Sequence, residues 1–97
     1  MIFPQTLIFR VHAIKRMLER DIAVEDVKQV LLDPKILKEY VDDRPYPSYL
    51  VLGWKDRRPI HLVVALNNEA NETIIVTAYE PSIVEWNEGF NTRKAKE

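Results

Sequence analysis

The chain has 97 residues, 46% of them hydrophobic and 30% charged, with a formal net charge of −1 at pH 7 and no cysteine. That size and balance describe one globular domain, residues 1–97, able to bury its own core. They exclude a disulfide framework, a thiolate metal site and a polyanion binder built on overall positive charge. The segment MIFPQTLIFR has no basic stretch followed by a long apolar run, so no export signal is expected there, and LVVAL at 62–66 is too short to span a bilayer. A soluble, cytoplasmic domain with no membrane partner is the expectation.

Taken in chain order, TLIF at 6–9 suits a short first strand. Residues 11–20 read as a helix in which Val11, Ile14 and Leu18 recur at i, i+3, i+7, with Ala13 and Met17 beside them. His12 and Arg16, four apart, share another face of that helix. A second helix begins near Val24, carries Val27, Val30 and Leu31 as its apolar stripe, and ends at Pro34. Ile22 and Val27 have the spacing of a hydrophobic staple, and Asp26 stands where a capping acid would stand. Ala23, the implied cap, has no side-chain oxygen, so the helix start is weakly capped.

After Pro34 the period becomes two. ILKEYV at 36–41, SYLVLGW at 48–54, IHLVVAL at 60–66 and TIIVTAY at 73–79 read as strands. Between them lie a turn or loop, DDRPYP at 42–47, a tight connection, KDRRP, and a polar hairpin loop, NNEANE at 67–72. Short connections favour an antiparallel meander. In the tail, Trp86 and Phe90 at i, i+4 suit one helical turn laid on the body, and the last residues are expected to be mobile.

Charge is unevenly placed. Residues 10–20 hold four bases (Arg10, Lys15, Arg16, Arg20) against one acid (Glu19), whereas 21–43 hold seven acids against three lysines. Further basic clusters are Lys55, Arg57, Arg58 and Arg93, Lys94, Lys96. These are either solvated faces or a polarised surface.

Strong motifs for chemistry are absent. Only Gly53 and Gly89 are glycines, so no phosphate-binding glycine loop exists, and two histidines do not make a histidine metal site. No cofactor is expected. What remains is His61 inside an apolar strand, His12 with Arg16 on a helix, Tyr49 and Tyr79 in strands, Arg44 in the DDRPYP loop, and Trp86. Each also suits a plain structural role: a solvent-face histidine, a surface pair, sheet-packing aromatics, a cation neutralising Asp42 and Asp43, and a tail anchor. Histidine, arginine and tyrosine together suit metal-free RNA cleavage. The 2′-hydroxyl needs a base, the leaving oxygen an acid, and the phosphorane fixed positive charge.

The segments HAIKRMLERDI, DDRPYPSYLVLGW, PIHLVVAL and TIIVTAYEP, in this order and spacing, resemble a family of unknown function grouped with the RelE/ParE toxins. The tail, with Trp86, Phe90 and Arg93, resembles it too, so the likeness runs over roughly residues 7–93. The family's typical positions fall on His12, Arg16, Arg20, Pro47, Tyr49, Gly53, His61, Tyr79, Glu80 and Pro81. Where the family often has Gly then Ser before its second helix, Asp21 and Ala23 stand here.

The resemblance implies an α+β RelE-like fold, with two N-terminal helices packed on one face of a four- to five-stranded antiparallel sheet. It also implies a toxin of a type II toxin–antitoxin pair, acting as a metal-independent endoribonuclease on mRNA. A cognate antitoxin and RNA or the ribosome would be its partners. In that reading His61, then His12, is the general base or acid and Tyr79 a proton relay. Arg16, Arg44, Arg20 and Arg58 would hold RNA phosphate. The alternative is a non-catalytic protein-binding module or inactive relative on the same fold, including a gyrase-directed toxin.

Overall fold

The computed structural model describes Phe3 and residues 6–93, so the mobility expected of the last residues lies outside the described chain. The element order is β1 (Thr6–Phe9), α1 (Val11–Glu19), α2 (Val24–Leu32), β2 (Lys35–Tyr40), β3 (Ser48–Lys55), β4 (Arg58–Asn67) and β5 (Glu72–Tyr79). All the expected helices and strands are present, with ends displaced by a residue or two. Strands β2 to β5 form the expected antiparallel meander.

The expectation of a purely antiparallel sheet is corrected at β1. This strand pairs parallel to β5, with Thr6 opposite Glu72 and Phe9 opposite Ile75, and the five-stranded mixed sheet has the order β1-β5-β4-β3-β2. Hairpins force antiparallel neighbours, but β1 reaches β2 through both helices. That crossover carries the chain to the opposite edge and frees β1 from the hairpin constraint.

Both helices pack on one face, as expected. Ala13 and Met17 of α1 and Val27 and Val30 of α2 share a single core with Ile60, Leu62, Val64 and Leu66 of β4. Gly53 allows α2 to lie against β3: a Cβ there would sit 2.5 Å from Val30 Cγ1 and 2.8 Å from Val30 Cα.

The start of α2 is held as the spacing suggested. Ala23 N–H donates to Asp26 Oδ2 at 2.9 Å, and Ile22 and Val27 are both buried. Asp21, where the related pattern often has Gly, sits at φ 54°, in the left-handed region that Asp tolerates better than most residues.

The inward face of α1 differs from expectation. Val11 and Leu18 are 85% and 78% exposed and Ile14 36%, while Ala13 and Met17 are buried. Arg20, on the same helical face as Ala13 and Met17, donates from Nη1 to the Ala78 carbonyl at 2.9 Å. With Ala13 and Met17 in the core and that bond at the end of β5, the Val11–Ile14–Leu18 stripe faces outward. No helix among the described residues is long and apolar enough to cross a membrane.

Candidate functional site

Alternation along β4 puts His61, Val63 and Ala65 on the sheet face away from the helices. His61 was expected to stand open on that face, but it is fully buried. The cause is the chain after β5, which folds back over this end of the face. Ser82 O accepts from the N–H groups of Glu85 and Trp86, and Trp86 bridges to Arg93. The helical turn therefore covers 82–86; the expected span 86–90 holds a tight turn instead, with Phe90 N–H donating to the Asn87 carbonyl at 2.9 Å and Phe90 at φ 58°. Trp86 stands edge-on to His61 with ring centroids 4.4 Å apart, and Phe90 packs on Trp54 at 6.0 Å.

Both ring nitrogens of His61 are bonded. Nε2 lies 2.7 Å from the Phe90 carbonyl oxygen and Nδ1 3.1 Å from the Tyr79 hydroxyl. A carbonyl only accepts, so Nε2 carries the proton, and Nδ1 accepts from Tyr79 O–H. Burial pushes His61 below its ordinary value of 6.5, and the Phe90 carbonyl offsets part of that. Burial likewise raises the half-buried Tyr79 phenol, with the Arg93 charge working the other way. The pair is a neutral, fully hydrogen-bonded latch between sheet and tail.

The other expected site residues lie elsewhere. His12 and Arg16 are exposed on α1, on the helical layer, across the sheet from His61, and Arg16 pairs with Glu19 at 2.9 Å. Arg20 holds the Ala78 carbonyl. Arg58 clamps the turn between the helices: Nη1 and Nη2 donate to the Asp21 and Arg20 carbonyls at 2.6 and 2.8 Å, and Nε to Glu80 Oε1 at 2.5 Å. A guanidinium with those partners has little left for a phosphate. Of the residues expected to act as acid, base or phosphate ligand, Tyr79 alone joins His61.

Arg44 stands at the opposite end of the non-helical face. The loop 42–47, which contains a cis Arg44–Pro45 bond, roofs a pocket of about 140 Å³ whose floor is Val63, Ala65 and Val76. Ser48 Oγ donates to Asp43 Oδ2 at 2.5 Å, and Tyr46 Oη accepts from Asn67 Nδ2 at 3.1 Å, so loop and sheet are tied together. Arg10, which leaves β1 at this edge, also lines the pocket. Arg10, Asp43, Tyr46 and Ser48 were not expected here. Arg10 stood out only as one of a basic cluster, and the strand pairing that brings it beside the 42–47 loop is not local in sequence. Among the described residues no group of three or more His, Asp or Glu side chains is placed to hold a metal ion.

Comparison with known proteins returns one family. No curated protein and no solved structure matches the chain. The model of the domain of unknown function DUF4258 matches residues 9–80. That span includes both helices, β2 to β5 and the arginine pocket, and it stops before the tail that closes over His61. The chain belongs to the DUF4258 family.

Proposed function

We propose that this domain is the toxin-like half of a toxin–antitoxin pair, and that it works by binding rather than by histidine acid–base chemistry. The single observation behind the second clause is the state of His61. It is fully buried, bonded at both ring nitrogens, and across the sheet from His12 and Arg16. A general base must reach the proton that it removes. The first clause rests on the resemblance to the RelE/ParE toxins, as does a cytoplasmic setting.

The partner surface in this reading is the outward side of α1. Val11, Ile14 and Leu18 form an exposed apolar stripe, with His12, Lys15 and Arg16 exposed on the same helix. An antitoxin helix with an apolar stripe and acidic flanks complements it. A second copy does not, because two such helices face to face would oppose their own bases. Co-expression with the neighbouring gene of the operon tests the pair. A co-purifying complex lost in Leu18→Glu supports it; a chain that purifies alone and does not harm its host sinks it.

The metal-independent endoribonuclease, on ribosomes or on free mRNA, remains the second reading. Arg10 and Arg44 at one pocket favour it, because phosphate recognition needs paired cations. RNA cleavage by the purified chain in chelator, abolished in His61→Gln or His12→Ala, would overturn the binding-only proposal.

A further inference from the structure

The pocket under the 42–47 loop combines three kinds of surface. Arg10 and Arg44 supply two guanidiniums. Among the described residues Arg16, Arg20, Arg58 and Arg93 each hold a partner, in Glu19, the Ala78 carbonyl, Glu80 and Glu85. Arg10, Arg44 and Arg57 hold none with their side chains, and of these three Arg10 and Arg44 line this one pocket. Two forks of N–H donors left without a carboxylate partner match the oxygens of a phosphate group.

The floor of Val63, Ala65 and Val76 is apolar, and its volume is about 140 Å³. The pocket opens to solvent, so its apolar floor offers a surface about the size of one flat ring rather than a closed slot. Asp43 is the third element. Its carboxylate accepts from Ser48 Oγ and keeps acceptor capacity for sugar hydroxyls, which donate. Inorganic phosphate would use the arginines alone. A ligand with a phosphate, a vicinal diol and a single flat ring uses all three.

We propose that this pocket binds a pyrimidine ribonucleotide, with its phosphate between Arg10 and Arg44, its ribose hydroxyls toward Asp43, and its base on the Val63–Ala65–Val76 floor beside Tyr46. The ligand is either a free mononucleotide or the 3′-terminal unit of a single strand, the one unit of a strand that keeps both ribose hydroxyls. The α1 stripe lies on the helical layer and the pocket on the opposite sheet face. Failure of nucleotide binding and failure of antitoxin binding are therefore separate results.

Titration of the full chain with uridine 5′-monophosphate, read by calorimetry or amide NMR, tests the site, with circular dichroism on every variant. Saturable one-to-one binding is expected, weakened at least about tenfold in Arg10→Ala and in Arg44→Ala. Arg57→Ala, an exposed arginine in the β3–β4 turn, should bind as wild type. Adenosine monophosphate should bind more weakly than uridylate. The 2′-deoxy compound should too, and Asp43→Ala should erase that last difference. A short oligouridylate competing for the same shifts identifies the source. Tighter binding than uridylate assigns a strand, and equal or weaker binding assigns the free nucleotide. No saturation with either ligand, inorganic phosphate binding as tightly as uridylate, or an equal loss in Arg57→Ala would overturn the site.

Discussion

The two ends of the non-helical sheet face are built from the same strand and have opposite characters. At one end His61, a polar group in an apolar strand, is closed off: Phe90 and Tyr79 saturate its nitrogens, Trp86 covers its ring, and no water-facing edge remains. At the other end, two and four residues along β4, Val63 and Ala65 floor an open pocket flanked by two arginines that have no side-chain partner among the described residues. The buried polar group is fully paired because an unpaired one in a dry site is costly. The cations can stay unpaired because they stand in water. A histidine inside a strand drew attention as a reactive group, yet its surroundings make it structural. Arg44, in a loop whose acids offered it neutralising partners, is instead left without one.

The largest effect that would break this contrast is expected at the latch. His61→Ala removes a buried ring and leaves the Tyr79 hydroxyl and the Phe90 carbonyl without their partner, so stability should fall by about 3 kcal/mol in denaturant titration. A loss below about 0.5 kcal/mol would mean that the tail does not seal the histidine. Tyr79→Phe keeps the ring and removes one donor to Nδ1, a milder change of about 1–2 kcal/mol.

The pH response sharpens the same point. Burial lowers the folded-state value of His61 below 6.5, so below that pH the unfolded chain binds the extra proton more readily. The contribution of neutral His61 is therefore whole above pH 6.5 and is lost as the pH falls from there toward the depressed folded value. Unfolding curves from pH 7.5 to 5 should show that decline, and it should be reduced in His61→Gln, whose amide can donate to Phe90 and accept from Tyr79 without titrating. An identical pH profile for wild type and His61→Gln would reject the latch as its source. The smallest effect belongs to the pocket: Arg10→Ala and Arg44→Ala should each change stability by no more than about 0.5 kcal/mol, since neither side chain is engaged. A larger loss would mean that the open end is structural after all.

Much of the fold was legible because it follows from local rules. The switch of period at Pro34 located the change from helices to strands. The alternation of IHLVVAL separates Ile60, Leu62, Val64 and Leu66, which meet the helices, from the face of His61, and the spacing of Ile22, Val27 and Asp26 marked the start of α2. The α1 stripe was misread because Val11, Ile14 and Leu18 carry the helical period as well as Ala13 and Met17 do. Apolar periodicity cannot choose between two faces when packing against distant strands decides which of them is covered.

The amino-acid sequence by itself thus determined the elements, the hairpin order of β2 to β5 and the core face of β4, since propensity, short loops and alternation act over a few residues. Only the tertiary structure decided the parallel pairing of β1, the closure of the tail over His61 and the meeting of Arg10 with Arg44. Each of these joins segments 25 or more residues apart. Such contacts depend on which surfaces remain uncovered once the local elements have packed, and no local pattern records that.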